Sequence, residues 1–251
     1  MFPPYRAVLF DLCNTIVNFD ETRYPTIDMD GTEISSTAGA VFEALVRALG
    51  QAPPGLTAAG FHGIFLHVSA EIGIERDATR REIPSEERFR RILRAAGIEG
   101  GDKLVRHLVA VHMGHLTGSL VFDERHRPFV EGLSKRLPIG IVSNFDHGPS
   151  ARAILARDNL APLFDPVVIS IENGWRKPHP AIFEEALASI GLPPEGVLFV
   201  GDTPEADLLG AGAAGMDAAW INPREAPLPD GVPPPRYTVR DLLDLEDILL
   251  P

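Results

Sequence analysis

Four positions in this chain of 251 residues carry chemistry-capable side chains at or shortly after apolar runs: Asp11, Ser143, Lys177 and Asp202, with Asp207 five residues behind the last. They are a carboxylate, a hydroxyl, an ammonium and a second acidic pair. A carboxylate at the end of a buried strand serves as a nucleophile, a metal ligand or both. Two or three carboxylates around one point repel unless a cation neutralises them. Mg²⁺ prefers oxygen ligands and keeps company with phosphate. A lysine beside them balances the charge of a transferring phosphoryl group. Cys13, two residues after Asp11, breaks the pattern of oxygen donors. Singly, each has a plain structural reading: Asp11 as a cap, Ser143-Asn144 as a turn, Lys177 as a solvated charge, Asp207 as a first-turn helix acid.

Bringing these residues together requires a parallel sheet, because only there do all strand ends lie on one edge. Residues 6–10 read as the first strand: Ala7-Val8-Leu9-Phe10 is an apolar run of the kind buried on both faces. From Phe122 onward apolar runs at 138–142, 166–169, 197–200 and 218–221 alternate with helical segments near 129–137, 149–158, 179–191 and 204–214, which implies βαβ units. Residues 16–120 have a different character, with helical periodicity over 40–49, 60–74, from Pro84 to about Gly97, and 102–113. The expected organisation is an α/β core, residues 1–17 and 121–251, with a helical cap inserted at 18–120. Residues 223–235 hold six prolines and read as a surface loop, and 241–250 as a short closing helix.

Composition narrows the function classes. Hydrophobic content of 45% and charged content of 23% suit a soluble globular protein. A net charge of -12 argues against nucleic acid and anionic membranes as partners. Cys13 is the only cysteine, so no intrachain disulfide forms, and no run approaches a membrane span. The expected address is the cytoplasm, as a monomer or homodimer acting on a small anionic molecule.

The ordered set resembles the haloacid dehalogenase superfamily. Phe10-Asp11-Leu12-Cys13-Asn14-Thr15 looks like its first motif, Asp-x-Asp-x-Thr, and Ile141-Val142-Ser143-Asn144 like its second. Arg176-Lys177-Pro178-His179-Pro180 looks like the third and Gly201-Asp202-Thr203-Pro204-Glu205-Ala206-Asp207 like the fourth. The resemblance implies a three-layer Rossmann-like parallel sheet core with an inserted α-helical cap of the subfamily I kind. It implies that Asp11 attacks substrate, that Ser143 and Lys177 hold the phosphoryl group, and that Asp11, Asp202 and the main-chain carbonyl of Cys13 bind Mg²⁺, with Asp207 completing the acidic set. Thr15, Asn144 and His147 are the remaining candidates for substrate contact.

Cys13 is the departure. Family phosphatases carry there an aspartate that protonates the leaving oxygen, whereas a thiol has an ordinary pKa of about 8.5 and is a weak donor. General acid–base help is worth roughly 10²–10⁴-fold, so a slow alkyl phosphatase is expected. Two alternatives stand beside a Mg²⁺-dependent phosphatase: a 2-haloacid dehalogenase, whose halide needs no proton, and a catalytically weak protein that binds phosphate and Mg²⁺. Asp202 and Asp207 favour the phosphatase, because dehalogenases of the family use no metal.

Some spellings imitate sites. Asp28-Met29-Asp30-Gly31-Thr32 matches the first motif better than residues 11–15 do, but no buried run precedes it, and Asp30-Gly31 reads as a hairpin turn. Gly210-Ala211-Gly212-Ala213-Ala214-Gly215 spells a dinucleotide fingerprint but ends a helix instead of opening one. It reads as small residues that let the helix lie close to the sheet, with Gly215 as a stop. His112 and His115, placed on one helical face, and His107 lack a completing carboxylate or cysteine for zinc. The cap arginines Arg76, Arg80, Arg81, Arg88, Arg90, Arg91 and Arg94 read as a solvated face, with Glu86–Arg90 and Glu87–Arg91 as i,i+4 pairs.

Overall fold

The computed structural model describes residues 5–29 and 31–250, and the chain divides into two compact units, Met1–Phe19 with Val121–Pro251, and Asp20–Leu120. In chain order the first strand is β1 (Ala7–Phe10), followed by a short β2 (Val17–Phe19). The second unit then supplies β3 (Thr26–Met29), β4 (Thr32–Ser35), α1 (Ala38–Leu49), α2 (Ala58–Thr79), α3 (Ser85–Ala95) and α4 (Asp102–Gly118). After β5 (Leu120–Phe122) come α5 (Arg127–Ser134), β6 (Ile139–Ser143), α6 (Gly148–Arg157), β7 (Val167–Ile169), α7 (Ser170–Asn173) and α8 (Pro180–Ile190). The chain closes with β8 (Val197–Gly201), α9 (Leu209–Ala213), β9 (Asp217–Ile221), β10 (Tyr237–Val239) and α10 (Glu246–Leu249).

The large sheet has the order β10-β9-β8-β1-β6-β7, and its pairs run parallel. β1 is central because its four residues are all fully buried: a strand with no polar position can only lie between neighbours with helices on both faces. Its register is Phe10↔Val200 on one side and Phe10↔Ile141 on the other. The C-terminal ends of β1, β6 and β8 therefore lie side by side. Each buried Val, Leu, Ile or Phe contributes about 1.5–3 kcal/mol, and β1, β6 and β8 are buried throughout. Leu9, Val142, Ile182, Phe183, Val197 and Phe199 belong to one core cluster.

The inserted unit builds its four helices at the places the periodicity gives, with α2 and α4 running about five residues longer at their C-terminal ends than expected. It also contains the β3–β4 hairpin, in antiparallel register from Thr26↔Ser35 to Met29↔Thr32. Asp28 Oδ1 accepts from Gly31 N at 2.7 Å, while Asp30 lies outside the described residues.

Local details refine the sequence reading, and some correct it. His112 is buried, with Nδ1 2.7 Å from Thr37 Oγ1 and Nε2 3.3 Å from Arg88 Nη1, whereas His107 and His115 are exposed, and the three form no group of potential metal ligands among the described residues. Arg90 pairs with Asp102 at 3.0 Å and not with Glu86, while Arg91 does meet Glu87 at 3.0 Å. Gly210 lies close to Phe183 of α8 and the Pro178 backbone, where a Cβ would approach to 2.4 and 3.1 Å, while Ala211 joins the buried cluster that holds the strand residues Phe199 and Ala218, so the small residues serve packing on that helix and loop as well as on the sheet. The segment expected as one helix over 204–214 begins with a π turn, Pro204–Leu208, before α9.

Candidate active site

Asp11 follows β1 directly and is 7% exposed. Its main-chain N donates to Val200 O at 2.8 Å, which extends the β1–β8 ladder to the reactive residue itself. Ser143 is the last residue of β6, on the adjacent strand, and is 2% exposed. Asp202 follows β8 on the other side. The sheet order thus brings three distant stretches to one edge.

Lys177 comes from a loop. Its ammonium is buried and lies 2.6 Å from Asp11 Oδ1 and 2.7 Å from Asp207 Oδ1. The Phe199 ring centroid is 5.2 Å from Nζ, within cation–π range. Asp207 is 1% exposed; its Oδ2 accepts from Thr203 N at 2.9 Å, so both its oxygens face protein partners. This close fold-back depends on Gly201, where a Cβ would come within 2.3 Å of Asp207 Oδ2.

Asp11, Asp202 and Asp207 offer carboxylate oxygens that all lie within 4.8 Å of one another, the only such group of potential metal ligands among the described residues. One ammonium faces three carboxylates. The crowding shifts Asp11, Asp202 and Lys177 from their ordinary values. Burial, with the charges of Asp207 and Asp202, pushes Asp11 up to about 7 despite its Lys177 partner. Burial and the Asp207 charge also raise Asp202. Burial opposes the charge on Lys177, but the two carboxylates outweigh it and hold the ammonium above its ordinary value. An all-oxygen donor set with surplus negative charge suits a hard divalent cation.

Cys13 is half-buried, and burial followed by the Asp11 charge drives its thiol well above the ordinary range. The side chain is thus held neutral. Thr15 is buried, and among the described residues its hydroxyl has no hydrogen-bond partner. His147, just before α6, is half-buried with Nδ1 2.8 Å from Ser150 Oγ. Asn144 is committed to main chain: its Oδ1 accepts from Lys177 N at 2.7 Å and its Nδ2 donates to Lys177 O at 3.1 Å.

Two site-adjacent residues escaped the sequence reading. Asn14 has a left-handed φ of 56°, which Asn tolerates better than most residues, and its Nδ2 donates to Asp202 Oδ2 at 3.3 Å. The signal was available in principle, since Asn is common where a turn needs positive φ. Trp220 of β9 donates its indole N–H to the Asp202 main-chain O at 3.0 Å. Nothing in a buried strand tryptophan announces that contact.

Known proteins are similar to this chain. The pyrimidine 5'-nucleotidase YjjG of Escherichia coli (strain K12) is 42% identical over 114 residues, 44% of this chain; the match spans 49% of that protein, about half its length. A phosphoglycolate phosphatase of Photorhabdus laumondii is 32% identical over 196 residues, 77% of each chain. The crystal structure of a 2-haloacid dehalogenase from Pseudomonas syringae pv. Tomato superposes with a TM-score of 0.69 at 22% identity, covering 98% of both chains, which speaks for the fold. A family model described as haloacid dehalogenase-like hydrolase matches residues 5–215, most of the chain, and with it the protein belongs to the haloacid dehalogenase-like hydrolases.

Proposed function

We propose that the protein is a Mg²⁺-dependent phosphatase of small phosphorylated metabolites that works through an aspartyl-phosphate on Asp11. The observation that carries this reading is the crowding of Asp11, Asp202 and Asp207 within 4.8 Å around a single ammonium. A metal-free dehalogenase has no need of so much uncompensated charge. The similarity to a nucleotidase and a phosphoglycolate phosphatase supports a phosphate ester as substrate.

Asp11, Asp202 and the Cys13 carbonyl would hold the ion. When bound, it neutralises the carboxylates and the developing phosphoryl charge. Asp11 supplies one carboxylate oxygen to phosphorus, the bond from phosphorus to the leaving oxygen breaks, and water then cleaves the acyl phosphate to restore Asp11. Lys177 holds one Asp11 oxygen at 2.6 Å, which leaves the other for attack. Its ammonium, with the Ser143 hydroxyl, is placed to receive the phosphoryl oxygens. Asp207 fixes the lysine and faces Thr203 N, so its part is to hold the charge in place. Cys13, kept neutral, is a poor acid for the leaving oxygen and no base for water. Acyl and aryl phosphates, whose leaving groups need little protonation, are therefore the favoured substrates.

The neutral thiol at position 13 is also the observation that favours a second reading, a 2-haloacid dehalogenase with Asp11 as nucleophile. Initial rates on 4-nitrophenyl phosphate, acetyl phosphate and 2-chloropropionate, each with Mg²⁺ and with EDTA, separate the two. Mg²⁺-dependent phosphate release from the first two is expected. Metal-independent chloride release would overturn the phosphatase reading. Phosphate binding without any turnover would mark a binding protein.

Among the described residues no helix is long and apolar enough to cross a membrane. A cytoplasmic monomer or homodimer without nucleic-acid partners remains part of the proposal.

A further inference from the structure

Lys177 stands in a stretch that belongs to no helix or strand, between α7 and α8. A lysine stem has four rotatable bonds, and its ammonium here meets two carboxylate oxygens, at 2.6 and 2.7 Å. Such aim requires that the main chain at Lys177 be fixed in position and orientation by something outside its own segment. One side chain meets both polar groups of that residue. Lys177 N–H donates to Asn144 Oδ1 at 2.7 Å, and Asn144 Nδ2 donates to Lys177 O at 3.1 Å. A single hydrogen bond leaves the loop free to pivot, whereas two bonds running in opposite directions from one planar amide fix its orientation. The amide itself is anchored, because Asn144 directly follows the fully buried β6, which pairs with β1 beneath Asp11.

We propose that Asn144 is a positioning residue for Lys177, a splint that transfers the rigidity of β6 to the lysine loop, and not a substrate contact. Both hydrogen-bonding ends of its amide are occupied by that task. The consequence for activity rests on the phosphatase reading above; the placement of the lysine does not.

The test has two arms. In the first, the side-chain ammonium resonance of Lys177, assigned by its loss in Lys177→Arg, is recorded by ¹⁵N-edited NMR on the full chain. A buried ammonium on two carboxylates gives a resolved, slowly exchanging signal. Asn144→Ala is expected to abolish it or merge it with those of exposed lysines. In the second arm, inorganic phosphate affinity with Mg²⁺ and 4-nitrophenyl phosphate kinetics are measured for Asn144→Ala, Lys177→Ala and the double variant. A misplacement of order 1 Å costs up to ~100-fold. Asn144→Ala is therefore expected to lower kcat by about 10- to 100-fold. In phosphate affinity the double variant should be no weaker than Lys177→Ala, because a residue acting through the lysine has nothing left to act on.

An unchanged Lys177 signal in Asn144→Ala would overturn the proposal. So would an undiminished additional loss of phosphate affinity in the double variant, which would mark Asn144 as a direct contact. If the wild type neither binds phosphate nor cleaves the ester while Asn144→Ala still erases the lysine signal, the phosphatase reading fails and the splint stands. Should Asn144→Ala not fold, Asn144→Asp keeps the acceptor for Lys177 N–H and drops the donor to Lys177 O. It should give a partial effect in both arms, and no effect in the NMR arm would overturn the proposal.

Discussion

Replacing Asp11, the proposed nucleophile, should make the metal-free protein more stable while abolishing turnover. Asp11 is 7% exposed, and burial with two neighbouring carboxylates raises its pKa to about 7. Against an ordinary value of about 3.9, that difference corresponds to about 4 kcal/mol of unfavourable ionisation in the folded state. The sign follows from linkage. A carboxyl group whose folded pKa is raised contributes fully below its unfolded pKa, and the contribution is lost as pH rises towards the folded value. The penalty is therefore absent near pH 3, grows between about pH 4 and 7, and is constant above. Asp11→Asn removes the charge but takes one of two partners from Lys177, which keeps Asp207 at 2.7 Å. Allowing about half of the gain to be lost there leaves about 2 kcal/mol, or roughly 4–8 °C in Tm for a chain of this size. Thermal melts of wild type and variant, in EDTA, across pH 3.5 to 8.5 measure it. The variant should match wild type at the acid end and exceed it from pH 7 upward. Saturating Mg²⁺ should narrow the gap, because only the wild type presents the full carboxylate set. Equal stability at pH 8, or a gap independent of pH, would refute the account of the site as electrostatically strained.

Three further outcomes follow from the same geometry. Cys13→Asp restores a carboxyl group where the thiol is held neutral, and should raise hydrolysis of an alkyl phosphate by roughly 10²–10⁴-fold with little change for acetyl phosphate; equal rates on both esters before and after would contradict the missing-acid argument. Gly201→Ala places a methyl group within 2.3 Å of Asp207 Oδ2, so turnover and Mg²⁺ affinity should both fall, read by calorimetric titration and initial rates; a fully active variant would show that Asp207 can move without consequence. Trp220→Phe keeps the ring but removes the donor to the Asp202 carbonyl, a loss of about 1 kcal/mol, so Mg²⁺ affinity should weaken by about five-fold. No change in affinity would leave that hydrogen bond a matter of packing.

The residues that were legible from the sequence are those whose placement depends on strand ends. Ala7-Val8-Leu9-Phe10 has no polar position, so it had to be a central strand, and Asp11 had to stand at its end. The acidic fourth motif follows β8 for the same reason. What stayed hidden depends on side chains reaching between elements. Asn144 reads as a substrate contact, because a polar residue after a strand points to the ligand edge; that its amide meets the Lys177 main chain is not announced by its position. Arg90 looked paired within its helix, but Asp102, from the start of the next helix, meets it at 3.0 Å. β10 was also missed, since Tyr237-Thr238-Val239 is only three residues long and follows a proline-rich loop. Its strand character comes from an edge opened by β9, not from its own pattern.

In the proposed phosphatase, charge balance and proton delivery are separate duties, and this chain carries side chains suited to only the first. Lys177 and a divalent ion together could offset Asp11, Asp202 and Asp207. That function depends on oxygen atoms and on one main-chain carbonyl, which any residue at position 13 provides. In the proposed mechanism, proton delivery falls to the side chain at position 13. There the same negative surroundings that attract a cation hold the thiol protonated, as burial and the Asp11 charge both do. Binding the ion would weaken the second of those influences but leave the burial, so the thiol would remain a poor acid even in the loaded enzyme. A phosphatase built this way would depend on its substrate to bring a leaving group that departs unaided. The rate ratio between acetyl phosphate and an alkyl phosphate is therefore the most direct measure of what Cys13 does: it should be large in the wild type and collapse in Cys13→Asp, whereas a site in which the thiol delivers the proton would show little difference between the two.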